Sequence, residues 1–327
     1  FDSNPAIDER GRTYSYGAVV HPLRWFSLFA SKSENTALPP GFLDPDNRQL
    51  RGIYSDGYDY GFRVSLKDDA ISMRVNFYKE HQYALIGDGQ AVRTASAVIE
   101  RRLRGPDRPA GIAAVEADGY DPVNRGDVYR SVEDKIAHGM DVTLTARLTS
   151  NWDARLAVGR QQTHVFNKSK EFNAWVARRL PTWQGFGGLG WQNVAISDSD
   201  PRTVQQYYDA EILREILRSE LRNDLPRFRQ REWRANMFTN YRFDEGLIKG
   251  LSLGGGVRWF GPAIVGYIQK PFPTAADPNG TVDDVTQSLK GKETMFIDVL
   301  ARYARRTKIF GSKTIGWNVQ LNVRNVF

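Results

Sequence analysis

The sequence predicts an all-β fold: an antiparallel, up-and-down transmembrane β-barrel wall of about ten strands, with one helix in a long loop. Three observations predict it. Apolar and polar residues alternate with period two along about ten segments, which puts them on opposite faces of strands. The connections alternate strictly between short and long. Large aromatic residues gather at segment ends on the apolar face. Composition bounds the rest. A chain of 327 residues, 41% hydrophobic and 25% charged, is not wholesale disordered and has length for one large or two ordinary domains. With no cysteine there are no disulfides, thiolate metal sites or thiol nucleophiles. A mean hydropathy of -0.51 and no apolar run of about 18 residues exclude a membrane-crossing helix. Crossing by strands stays open, because their two faces average out as polar.

Taken in order, residues 14–20, 23–33 and 58–66 are the first strands. Next, Ile71, Met73, Val75 and Phe77 face away from Ser72, Arg74, Asn76 and Tyr78. Met140, Val142, Leu144, Ala146 and Leu148 oppose Asp141, Thr143, Thr145 and Arg147, and residues 152–160 follow. Trp233, Ala235, Met237, Tyr241 and Phe243 oppose Arg234, Asn236, Asn240 and Arg242. Leu251, Leu253, Val257 and Trp259 oppose Ser252, Gly254, Gly256 and Arg258. Residues 295–304 lead to the clearest case, in which Ile315, Trp317, Val319, Leu321 and Val323 oppose Gly316, Asn318, Gln320, Asn322 and Arg324. Several runs reach the roughly nine to eleven residues that suit a tilted bilayer crossing.

Residues 21–22, 67–70, 149–151, 244–249 and 305–313 are the short connections; 34–57, 81–137, 166–230 and 260–293 are the long ones. A soluble sandwich has no reason to place every long loop at one end, whereas a barrel with turns on one side and loops on the other does. Trp152, Tyr241, Phe243, Tyr303 and Trp317 fall at the short-turn ends, and Trp233 and Trp259 at the long-loop ends. An apolar ring with a polar handle suits the headgroup layer. Core aromatics flanking the turns of a soluble β-protein are the alternative. Both termini fall on the long-loop side, so at least one further strand is expected at each end, and targeting cannot be read from a chain starting at Phe1.

The 166–230 loop holds the expected helix. Asp200 is placed as its N-cap and Pro201 at its first position, followed by an apolar stripe of Val204, Tyr208, Ile212, Ile216 and Leu217, extended by Leu221. The Asp224 and Pro226 region ends it. Such an insertion either covers a pore as a lid or docks to brace the rim, and the stripe favours docking. Residues 35–45 and 271–280 are turn-rich.

Few motifs carry chemistry. Gly185, Gly187 and Gly190 fit a dinucleotide fingerprint without the strand-turn-helix it needs. His21, His81, His138 and His164 lack metal-ligand spacing, and the pairs Asp44/Asp46, Asp198/Asp200 and Asp283/Asp284 lack a calcium-loop frame. No nucleophile or paired-acid pattern argues for an enzyme, and nothing calls for a cofactor or metal. Arginines carry more. Arg63, Arg74, Arg147, Arg155, Arg234, Arg242, Arg258, Arg302 and Arg324 share the polar face with Asp59, Asp141, Asp153 and Asp298. Facing a lumen, this ladder would attract anionic solutes or pair with an internal plug; Arg234 and Arg258, nearest the long loops, would meet ligand first. A hydrated wall of mixed charges is the plainer reading of any one of them. Nucleic acid is not expected, despite a net charge of +7, because the basic residues lack neighbouring aromatic platforms.

GYDYGFRVSLKDDAISMRVNFYKEHQ (57–82), with PPGFLDPDNRQLRG before it, resembles the paired strands after the Pro-rich loop of TonB-dependent outer-membrane receptors. HGMDVTLTARLTSNWDARLAVGRQQT (138–163) is similar to their G-x-E hairpin, with Asp141 in place of the usual Glu. LIKGLSLGGGVRWFG and the closing WNVQLNVRNVF resemble two further hairpin signatures, and together the motifs span nearly the whole chain. The resemblance implies that residues 1–327 are part of a barrel of about 22 strands in the Gram-negative outer membrane. The plug, first strands and last strand would lie outside this chain, and 166–230 would be an extracellular loop. It further implies uptake of a ferric siderophore, cobalamin, haem or glycan, energised by the TonB–ExbB–ExbD complex, with outer-membrane lipid around the wall. A passive porin-like channel and a soluble β-rich binding module are the alternatives.

Overall fold

Alternating side chains draw ten strands into one antiparallel sheet in the computed structural model, which describes residues 11–38, 41–87, 89–105, 129–274, 277–308 and 314–326. Its strands are β1 (Tyr14–Leu23), β2 (Phe26–Thr36), β3 (Tyr54–Leu66), β4 (Ile71–Ile86), β5 (Val132–Thr149) and β6 (Trp152–Phe166). After a two-residue β7 (Leu225–Pro226) come β8 (Trp233–Arg242) and β9 (Leu251–Phe260). A hairpin, β10 (Ile264–Pro271) and β11 (Thr281–Lys290), precedes β12 (Thr294–Lys308) and β13 (Thr314–Val323). The sheet runs β1-β2-β3-β4-β5-β6-β8-β9-β12-β13; β7 adds to β6, and the β10–β11 hairpin stands apart. Among the described residues β1 and β13 each pair on one side only, so the sheet is open.

Register carries the two faces across this wall. Tyr60, Phe77, Met140, Arg160 and Trp233 lie opposite one another in turn on β3, β4, β5, β6 and β8. Because the side-chain period is two, one aligned row fixes the face of every other residue. The apolar face is uncovered: Val319 and Leu321 are each 62% exposed and Met237 50%. A sheet folded against a second layer would bury such residues.

Strand lengths exceed the expectation. β4, β5 and β6 have 16, 18 and 15 residues, and run into segments expected to be loop. The cause is visible in the pairing of Lys79 with His138 and of His138 with Gln162. There the outward residues turn polar, so the apolar signal stops while the backbone ladder continues. The first short turn also moves. His21 and Pro22 sit in an irregular stretch of β1, between paired Val20 and Leu23, and the chain reverses at Arg24 and Trp25. Among the described residues β1 pairs on one side only, where a proline lacking an N–H is tolerated. The tip of the expected 305–313 turn, residues 309–313, lies outside the described residues, as do 106–128 of the second long loop and 275–276 of the fourth.

The buried core lies among the long loops, where one helix was expected and more are found. α1 (Gln90–Leu103) and α2 (Lys170–Gly185) precede α3, which is made of Val204–Tyr207, a π-helical turn at Tyr208–Leu213, and Arg214–Leu221. Their inward stripes (Val92, Ile99 and Leu103; Phe172, Trp175 and Trp183; Val204, Tyr208 and Ile212) form one cluster. α3 does not start at Asp200. Its N-cap is Thr203, in a capping box with Gln206, while Asp200 bonds the Arg202 backbone and guanidinium in the preceding turn. Inside the cluster Glu100 of α1 is fully buried; its Oε1 accepts from Arg179 Nε at 2.7 Å and from Trp183 Nε1 at 2.7 Å. The fourth long loop, expected to be turn-rich over 271–280, holds the β10–β11 hairpin around that stretch. It is tied to α3 by Arg214–Asp277 at 2.8 Å and Arg222–Asp283 at 2.5 Å.

Candidate ligand-facing wall

Strand parity gathers the polar residues on one face. Near the long-loop end, Asp141 of β5, Gly159 of β6 and Arg234 of β8 lie directly opposite one another. Gly159 has no side chain to separate the other two, and Arg234 Nη2 approaches Asp141 Oδ1 at 3.5 Å. A Cβ on Gly159 would sit 2.7 Å from Asp141 Oδ1 and 2.8 Å from Arg234 Nε. On the next strands Arg258 pairs with Asp298 at 3.1 Å and lies 5.3 Å from the centre of the Phe296 ring. Phe260, opposite Arg234, packs edge-on to Phe296 at 6.3 Å. Arg234 and Arg258 thus stand one strand apart in a corner holding two carboxylates and two phenyl rings. It offers guanidinium donors and aromatic faces to a ligand, with the carboxylates as internal competitors.

A second corner lies nearer the short turns. Arg63 and Arg74 are directly opposite each other, and Arg74 lies over the Phe29 ring at 4.6 Å. With Ser27, Ser72, Thr143 and Thr145 they line a hollow of about 640 Å³. The other arginines are dispersed. Arg147 faces Asp153, Arg155 faces Thr145, Arg302 lies opposite Ser252 and Gln320, and Arg242 is held by Asp244 at 2.7 Å. Arg324 follows the last residue of β13.

The aromatics of the outward face pair across strands or along one. Trp152 meets Tyr241 at 6.4 Å, Tyr241 meets Phe243 at 4.8 Å and Tyr303 meets Trp317 at 5.5 Å. Trp259 donates to Glu293 at 3.0 Å, and Arg160 lies over Trp233 at 5.5 Å. Phe29, Phe260 and Phe296 of the polar face were not among the expected site residues. Their signal was a phenylalanine at a position whose neighbours two away are polar, as in Ser27-x-Phe29-x-Ser31.

Among the described residues no group of three metal-ligating side chains comes together. The aspartate pairs are spent on local structure. Asp44 accepts from the Asp46 and Arg48 amides, Asp46 pairs with Arg178, and Asp284 bonds Thr286 and Gln287. His138 bonds Gln162 and His164 bonds Asp224. Gly187 and Gly190 take positive φ beyond α2, as loop glycines.

No protein-family model matches the sequence, and no curated protein matches it. Solved structures do. The Pseudomonas aeruginosa receptor FpvA bound to heterologous pyoverdines superposes with a TM-score of 0.53 at 15% identity, covering 99% of this chain. The ferripyoverdine receptor of the outer membrane of Pseudomonas aeruginosa, bound to ferripyoverdine, gives the same values. The complex of FpvAI with pyocin S2 gives 0.51 at 14% identity over 98% of the chain. The fold is that of a TonB-dependent outer-membrane receptor barrel. At such identities the likeness speaks for the fold, and this chain spans 30% of the length of the first two receptors and 33% of the third. Within the receptor-barrel frame, the polar face corresponds to the interior of the wall and the uncovered apolar face to its outside.

Proposed function

We propose that the chain is part of the wall of an outer-membrane receptor that takes up a scarce ligand, of the ferric siderophore class, by TonB-coupled active transport. The observation that carries the reading is the division of the sheet. One face is uncovered and apolar along ten strands, and the other carries charges and hydroxyls. Hydrocarbon outside and water inside is the environment that suits both. The corner of Arg234, Arg258, Phe260 and Phe296 suits an anionic chelate with aromatic or extended apolar parts, since guanidinium groups bind carboxylate and hydroxamate oxygens while rings pack on the remainder. The helix-bearing 166–230 segment would stand outside the cell above it. The coupling partner would be TonB–ExbB–ExbD, acting through a plug domain elsewhere in the protein.

Growth tests this directly. A strain lacking the whole gene, supplied with ferric siderophores, cobalamin, haem or glycans in turn, should lose use of one of them. Restored uptake should stop on collapse of the proton-motive force or loss of TonB. Uptake that continues without either would identify a passive channel. A folded, monodisperse full-length protein made without detergent would defeat the membrane reading.

A further inference from the structure

We infer that the hollow at Arg63 and Arg74 is a second anion-binding station on the interior wall, which takes carboxylate groups of the incoming ligand as it leaves the Arg234–Arg258 corner. This rests on the uptake reading above and deepens it. Arg63 and Arg74 stand directly opposite each other on β3 and β4. Like charges so placed repel, and the pair is destabilising until an anion comes between them. Parity puts both side chains on the interior face with Thr143 of β5, which lies opposite Arg74. One row nearer the short turns, Ser72 lies opposite Thr145. Guanidinium and hydroxyl donors from three strands thus line one hollow of about 640 Å³.

Charge balance sets this hollow apart from the first corner. There Arg234 has Asp141 at 3.5 Å and Arg258 has Asp298 at 3.1 Å, so each cation meets an internal carboxylate. Among the described residues no aspartate or glutamate lines the hollow. The nearest carboxylates are Asp69, an exposed turn residue 3.8 Å from Arg63, and Asp59, which accepts from Asn76 at 3.1 Å. Among the described residues no carboxylate pairs with Arg74. Its guanidinium lies over the Phe29 ring at 4.6 Å, and with its flat face so covered its N–H edge is left for a ligand. His21, at the rim, is bonded to Ser27 at 2.8 Å. A guanidinium fork matches a carboxylate with two parallel hydrogen bonds. The volume suits an organic polyanion better than a single inorganic ion. An anionic ligand passing from the balanced corner to this surplus of positive charge is drawn onward by attraction alone.

The full-length receptor in non-ionic detergent at low salt should bind tricarballylate, a metal-free tricarboxylate, saturably by titration calorimetry, and its uncharged triamide not at all. Arg63→Gln with Arg74→Gln should weaken the tight binding at least tenfold, and Arg63→Lys with Arg74→Lys should recover part of that loss. Arg234→Gln with Arg258→Gln should remove only a weaker second event. Lys270→Gln with Lys290→Gln, the same charge change on the β10–β11 hairpin, should alter neither. Phenylglyoxal should modify Arg74 in the free receptor and fail to do so with tricarballylate bound. Folding of each variant is checked by heat-modifiable mobility on gels. Tight binding that survives in the Arg63/Arg74 variant, or that is lost with Arg234 and Arg258 instead, overturns the inference. An Arg74 closed to phenylglyoxal in the free receptor would show that the protein itself fills the hollow, and overturns it as well. Displacement by equimolar inorganic phosphate would show a plain anion site and overturn the carboxylate assignment. Uptake that continues without TonB sinks the active-transport reading and leaves this station standing, whereas a TonB-dependent receptor that ignores tricarballylate sinks this inference alone.

Discussion

Arg234 reaches Asp141 across a whole strand, because the residue between them in the ladder is Gly159. The ion pair is half-exposed, and exposed pairs contribute at most about 1 kcal/mol. Asp141→Asn should therefore leave the unfolding temperature in detergent nearly unchanged. Gly159→Leu should separate the two groups and fill the corner, lowering ligand affinity by about tenfold with insertion intact. Equilibrium ligand binding to purified receptor checks it; unchanged affinity would remove this corner from the binding surface.

Introducing a charge separates the faces. Val319→Arg and Leu144→Arg place a cation on the uncovered apolar face, which costs about 2–4 kcal/mol at mid-bilayer. Asn318→Arg and Thr143→Arg place it toward the interior and should be tolerated. Heat-modifiable mobility of outer-membrane fractions reads the difference, and equal behaviour of the two sets would reverse the assignment of faces.

Glu100, Arg179 and Trp183 form a buried polar knot between α1 and α2. Glu100→Ala removes the buried carboxylate that accepts from Arg179 and from the Trp183 indole N–H, a loss of about 1–3 kcal/mol. Hydrogen exchange should accelerate in α1 and α2 while the β4–β6 amides keep their protection. Acceleration spread evenly over strands and helices would show that the helical cluster does not unfold by itself.

Acid should loosen the join between α3 and the β10–β11 hairpin. Burial pushes the Asp283 carboxyl up, but hydrogen bonds from Gln269 and Arg222 and the Arg222 charge outweigh it and hold the group below its usual range. A carboxyl depressed in the folded state contributes its full stabilisation above the unfolded value, about 3.9, and loses it as pH falls through the lower folded value. Proteolysis of the hairpin should rise below about pH 4, and Asp283→Asn should show the raised rate already at neutral pH. A hairpin equally resistant at pH 3 and 7 contradicts the assignment.

The strands were legible where one face is apolar. Val319 and Leu321 against Asn318 and Gln320 fix both the strand and its faces, because the bilayer demands that contrast. Beyond the bilayer the demand ceases: Lys79 and His138 sit in an unbroken ladder without the apolar pattern that would announce it. The helices were legible in part. The α3 stripe stood out, but its start was misplaced because Asp200 and Pro201 imitate a cap that Thr203 and Gln206 provide. The spacing of Phe172, Trp175, Val176, Arg179 and Trp183 carries the α2 signal; an arginine inside the stripe hid it, since its buried carboxylate partner Glu100 lies far away in sequence. The pairing of Arg234 with Asp141 was likewise invisible, as it depends on register across three strands.

The overhang of β4, β5 and β6 has a mechanical meaning. A strand of 18 residues outruns a crossing of about eleven, so its upper part is a stiff parapet of hydrogen-bonded backbone standing in water. α1 begins four residues after β4 ends and α2 four residues after β6 ends, so the helical cluster starts close upon that parapet. In the proposed receptor, a ligand descending toward the arginine corner would first pass a rim whose shape is set by the sheet itself.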